Sequence, residues 1–119
     1  RAMSLQLVTF AARFPQLVRI VVDETGKPGP RAEWLHTRYL LPGYQLARSV
    51  ITGMQPTGAS SLQIGSEHWV PLILGVMNFP FLEADVIAQA YGVDVYDEAY
   101  IERHAELLYR ILIGLVSSR

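Results

Sequence analysis

His36, His68 and His104 are the only histidines in the chain, and with 11 acidic residues and no cysteine they bound the chemistry it can do. No two histidines stand at metal-ligand spacing and there is no HExxH. Glu102 and His104, two positions apart, fall on different faces of any helix that holds them. The absence of cysteine removes thiolate nucleophiles, Cys-based metal sites and disulfides, and points to a reducing compartment. No GxSxG elbow occurs, and no glycine-rich loop precedes a helix where it would cradle phosphate. A Ser–His–Asp set assembled in space stays open as the route to a small helical enzyme. The carboxylate pairs Asp23-Glu24 and Glu83/Asp85 read as solvated surface. These features lead us to expect no enzyme, no metal and no cofactor, with His104 a hydrogen-bonded core or interface residue.

The elements that must position these side chains are helical. Half of the 119 residues are hydrophobic and 18% are charged, enough for one domain with one core and too few residues for two. A formal net charge of -1 argues against nucleic-acid binding through the bulk field of this chain. The most apolar run, Trp69 to Leu82, is too short to span a bilayer and carries Pro71 and Pro80. We therefore expect a soluble, cytoplasmic domain with no membrane partner. The chain opens inside a helical pattern without an initiating Met or a charged-then-apolar leader, as expected for a fragment or trimmed domain.

The spacing of apolar residues predicts five or six helices. Met3, Leu7, Phe10, Ala11 and Phe14 put an amphipathic helix over residues 2–14, stopped by Pro15, which suits the first position of a second helix to Glu24. Leu17, Ile20, Val21 and Glu24 share a face of that helix. Gly26 to Pro30 is a turn. From Arg31 to Met54 a stripe of Leu35, Tyr39, Leu46, Val50 and Met54 keeps phase across Pro42, predicting one long helix kinked there. Gln55 to Gly65 is a polar loop rich in Gly and Ser. Ser66 is expected to cap a helix to about Phe79 with almost no polar face, broken by Pro80-Phe81, and Leu82 to Tyr91 forms another helix or a continuation that stops at Gly92. The last helix runs from Asp97 to Val116. Ile101, His104, Ala105, Leu108, Ile111, Leu112 and Leu115 form one stripe, while Leu107, Tyr109, Ile113 and Val116 fall outside it. A helix apolar beyond one face needs two coverings, its own core and a second copy of the chain.

The run FAARFPQLVRIVVDE, then GPRAEWL with a downstream RYLLPGY, and finally DVYDEAYIERHAELLYRILIGL, resembles the C-terminal domain of TetR/AcrR-family transcriptional regulators. The resemblance covers essentially the whole chain and rests on the succession of moderately specific motifs. It implies an all-α, effector-binding and dimerisation domain in which two helices, here Ser66–Phe79 and Asp97–Val116, pack against their mates in a four-helix bundle. The family's helix-turn-helix has no counterpart here, so DNA contact is expected only through residues outside this chain.

The resemblance also implies a pocket for a small apolar or amphipathic effector among the remaining helices, binding of which shifts helix packing. The hinge expected for that shift is the Pro42 kink, where the broken hydrogen-bond ladder lets a long helix bend. The wall candidates are Met3, Leu7, Phe10, Phe14, Trp34, Tyr39, Tyr44, Met77 and Phe81, with Arg38 and Asn78 as polar contacts. The candidate dimer face is Trp69, Val70, Ile73, Leu74, Ile101, His104, Ala105, Leu108, Ile111, Leu112 and Leu115. The competing readings are a helical dimeric scaffold without ligand and a small helical enzyme.

Overall fold

The computed structural model describes residues 1–54 and 65–116. Among the described residues every regular element is helical. The helices are α1 (Ala2–Arg13), α2 (Pro15–Thr25), α3 (Pro30–Leu35), α4 (Leu41–Met54), α5 (Ser66–Leu82), α6 (Ala84–Tyr91) and α7 (Glu98–Val116). A π-helical turn, His36–Leu40, joins α3 to α4 without a break, so the described chain forms six separate rods. The expected polar loop at Gln55 to Ile64, and the side chains of Val50, Met54, Leu115 and Val116, lie outside the described residues.

Each boundary has a local cause. Phe14 leaves helical geometry before Pro15, which opens α2 with no N–H to satisfy, and the two helices bend by 74°. Gly29, at φ 148°, turns the chain into α3, and Gly92, at φ 66°, ends α6 in the left-handed conformation that favours glycine. Ahead of α7, the Asp94 carboxylate accepts the Tyr96 N–H at 2.9 Å and shapes the turn.

The helical run continues across Pro42, as expected, whereas Pro80 does not end its helix. Pro42 sits just past the π-turn, where the Leu41 N–H reaches back five residues to the His36 carbonyl. The widened turn moves the proline ring off the carbonyl it would otherwise strike, so α3 and α4 remain one rod. Pro80 lies inside α5, which continues to Leu82 instead of ending at Phe79, and the 71° corner into α6 follows at Glu83.

The core forms where α7 lies along α1, its most extensive partner, with α5 closing the third side. The buried face of α1 is Ser4, Val8, Ala11 and Ala12. Of the expected stripe of Met3, Leu7, Phe10, Ala11 and Phe14, only Ala11 lies on this face, which is turned by about one residue of helical phase from the other four. Small side chains let the α1 backbone approach Ala105, Leu108 and Leu112 of α7 closely, and the larger residues flank the contact. On α2 the half-buried positions are Pro15, Val18, Val21, Glu24 and Thr25, while Leu17 and Ile20 are exposed. At one end Arg1 spans α1 and α7, placing its guanidinium 2.7 Å from Glu106 and over the Tyr109 ring. The fold is flattened, 41 × 40 × 22 Å, with a radius of gyration of 15.5 Å. About 13.5 Å is expected for a rounded domain of this length. No single helix among the described residues is long and apolar enough to cross a membrane.

Candidate functional site

A cavity of about 250 Å³ opens where α4 crosses the edge of the core. Met3 and Leu7 line it from α1, Gly43, Leu46 and Ala47 from α4, Val70, Ile73, Leu74 and Met77 from α5, and Leu112 from α7. None of these carries a side-chain hydrogen-bonding group beyond a methionine thioether. Most of their peptide groups lie well inside helices, where N–H and C=O pair along the axis. Its inner wall of Val70, Ile73 and Leu112 is buried and its α4 side is open to solvent, a shape that suits apolar molecules. At Gly43 an added Cβ would meet nothing within 4 Å, so the α4 side of the site is open.

Of the eleven residues expected to bind ligand, the structure brings Met3, Leu7 and Met77 to this cavity. Phe10 and Phe14 pair with each other at 4.9 Å on the exposed side of α1. Trp34 and Tyr39 meet edge-on at 5.3 Å across the π-turn, also exposed, as are Arg38 and Tyr44. Phe81 is buried at the α5–α6 corner, 5.7 Å from Tyr96. Asn78 turns back on its own helix, its Nδ2 donating to the Leu74 carbonyl at 2.9 Å. The α4 residues Gly43, Leu46 and Ala47 escaped sequence reasoning. Their small or plain aliphatic side chains carry no mark of a wall, and only the path of α4 past α1 and α5 makes them one.

The α5 and α7 residues expected to meet a second copy divide into two groups. Val70, Ile73, Ala105, Leu108 and Leu112 are buried in the protomer's own core, Leu108 completely, and so have no surface left to present to a mate. Trp69, Leu74, Ile101, His104 and Ile111 are half-buried. Beside them runs a second face. Leu72, Gly75, Val76 and Phe79 follow one another at helical spacing on α5, and Tyr100, His104, Leu107 and Ile111 do so on α7. Phe79 is 58% exposed, Leu72 and Leu107 49% each.

The two stripes are tied together by His104. Its Nε2–H donates to the Val76 carbonyl at 2.5 Å, and its ring stacks on Tyr100 at 5.6 Å. In a regular helix that carbonyl would accept from the N–H of residue 80, which is proline. His104 replaces the missing donor, the structural role expected for it. Further along α5, the Phe81 carbonyl accepts from the Tyr96 hydroxyl and the Leu82 carbonyl from Arg19 Nη2 at 2.9 Å. Three side chains from three segments thus satisfy the carbonyls of α5 near its C-terminus. Burial raises the Tyr100 hydroxyl above its ordinary 10.0. A wide groove between α6 and α7 holds Tyr91, Asp94, Asp97 and Arg103 beside this pair, open to solvent.

The described residues contain no group of three or more His, Cys, Asp or Glu side chains able to hold a metal ion. No family model, no curated protein and no solved structure matches this chain.

Proposed function

We propose that this chain is the effector-binding and dimerisation domain of a TetR-like transcriptional regulator. The observation that carries the reading is the apolar cavity among α1, α4, α5 and α7, set directly behind an exposed apolar face on α5 and α7. Val70, Ile73, Leu74 and Met77 present one side of α5 to the cavity, and Leu72, Gly75 and Phe79 present the other outward. A molecule that moves α5 therefore moves the surface on which a mate would sit. In such a regulator that shift respaces two DNA-reading heads, which belong to helix-turn-helix segments outside this chain. The ligand can bias the equilibrium only through its different affinity for the two packings, typically ~1–3 kcal/mol of coupling.

Surface area supports a symmetric mate. The chain exposes 8308 Å², while a monomer of 13.3 kDa is expected to expose about 6,500 Å². The difference exceeds the roughly 800 Å² that an ordinary interface removes from each partner. A four-helix seam of α5 and α7 with their copies would cover Leu72, Phe79 and Leu107, and Gly75 would allow close approach of the mate's backbone.

Sedimentation equilibrium combined with melting curves tests the reading. A dimer that is stabilised by members of a hydrophobic small-molecule library is expected. A chain that stays monomeric at tens of micromolar and responds to no compound contradicts it. A dimer without any stabilising compound would favour the scaffold reading instead.

A further inference from the structure

We infer that the cavity behind α5 selects a compact, hydrocarbon-like molecule of about ten non-hydrogen atoms that carries no hydrogen-bonding or charged group into the site. The inference rests on the effector-binding reading and specifies its ligand class. The size follows from volume: a protein cavity of ~150 Å³ lined by aliphatic and aromatic side chains takes benzene, and scaling to this cavity of about 250 Å³ gives a bicyclic ring or a short branched chain.

The polarity follows from the lining. A hydroxyl or carboxylate placed among Val70, Ile73 and Leu112, the buried part of the wall, would lose its water and, among the described residues, meet no donor or acceptor side chain in exchange. The two side chains most related to hydrogen bonding near α5, Asn78 and His104, are already committed to the Leu74 and Val76 carbonyls and lie outside the lining. Met3 and Met77, from α1 and α5, supply flexible, polarisable thioethers that mould to a ring better than branched side chains do. Among the described residues no arginine, which would hold an acidic head group, lines the wall. This separates the site from one built for fatty acids or other carboxylates.

The experiment titrates the full chain with naphthalene, naphthol, naphthoate and pyrene by calorimetry, in the wild type and in Gly43→Leu. The variant places a side chain in the open space along α4 and replaces glycine in a helix by a better helix former. Naphthalene is expected to bind, naphthol and naphthoate at least about tenfold more weakly, pyrene not at all, and Gly43→Leu to lose naphthalene. Should Gly43→Leu fail to fold, Ala47→Leu fills the same wall and serves the same purpose. If naphthol or naphthoate binds as tightly as naphthalene and that binding is lost on filling the cavity, the apolar class is overturned while the effector site stands. Equal binding of pyrene overturns the size limit. If no probe binds, or if binding survives both fillings, the cavity is not the site, and both this inference and the reading beneath it fall.

Discussion

The Nε2–H of His104 points at the Val76 carbonyl, the acceptor that Pro80 leaves without a helix partner. One residue of α7 thereby repairs a defect that proline makes in α5, and the repair fixes how the two helices lie. Removing the donor leaves that part-buried carbonyl unsatisfied, so His104→Ala is expected to destabilise the fold by about 1–3 kcal/mol. Pro80→Ala restores an N–H to the helix and should make the histidine dispensable. A double-mutant cycle read by urea denaturation checks this: the cost of His104→Ala should fall sharply in the Pro80→Ala background. An unchanged cost would mean that His104 acts only through packing.

The two faces of α7 make opposite predictions for neighbouring leucines. Leu108 is completely buried against α1, so Leu108→Ala should cost about 2–5 kcal/mol, and Leu108→Glu should unfold the chain instead of separating two folded copies. Leu107 is half exposed on the outward stripe with Phe79. Leu107→Glu and Phe79→Glu should leave the circular dichroism of the folded domain intact while shifting sedimentation from dimer to monomer. Dissociation by Leu107→Glu without unfolding places the interface on this stripe. A dimer surviving both substitutions removes it.

The helices were legible because punctuation and periodicity agreed. Pro15, Gly26 to Pro30 and Gly92 end or begin elements where expected, and Ile101, Ala105, Leu108 and Leu112 lie on the inward side of α7. The phase of α1 was legible only at Ala11, because hydrophobicity favours Phe10 and Phe14 whereas close packing selects Ser4, Val8 and Ala12 beside it. Pro80 was read as a stop because nothing local reveals that a histidine 24 positions later supplies a donor to the carbonyl it strands. The cavity was legible only in three of its wall residues, and Val70, Ile73, Leu74 and Leu112 were expected on the dimer face instead. Met3, Leu7 and Met77 advertise themselves by size and adaptability, while Gly43 and Ala47 join the wall only because of where tertiary packing carries α4.

Pro42 is the physical cause assigned to the π-turn at His36–Leu40. Pro42→Ala should let the turn relax to the α-helical register, stabilising the domain by up to about 3 kcal/mol. Loss of the extra residue from the turn rotates α3 relative to α4 and should break the edge-on contact between Trp34 and Tyr39. Near-ultraviolet circular dichroism and tryptophan fluorescence report that contact. Unchanged spectra together with lowered stability would assign the π-turn to another cause.

The Tyr100 hydroxyl, raised above 10.0 by burial, predicts a loss of stability in alkali. Its folded pKa lies above its unfolded one, so below about pH 10 the group is protonated in both states and the full stability is present. Above that point the unfolded chain releases the proton first, and stability falls as pH rises toward and through the folded pKa. Tyr100→Phe should flatten this decline above about pH 10 in denaturation measured across the alkaline range. An identical alkaline slope in the variant would show that Tyr100 ionises as freely folded as unfolded.

Two of the three methionines in the chain, Met3 and Met77, line the cavity on which the functional reading depends. The most direct measurement is therefore the ¹³C-methyl spectrum of methionine-labelled protein, titrated with naphthalene. The account predicts that the Met3 and Met77 methyl signals shift together on binding and that Gly43→Leu abolishes both shifts. Binding that moves neither methyl signal, or shifts that persist after the cavity is filled, would contradict it.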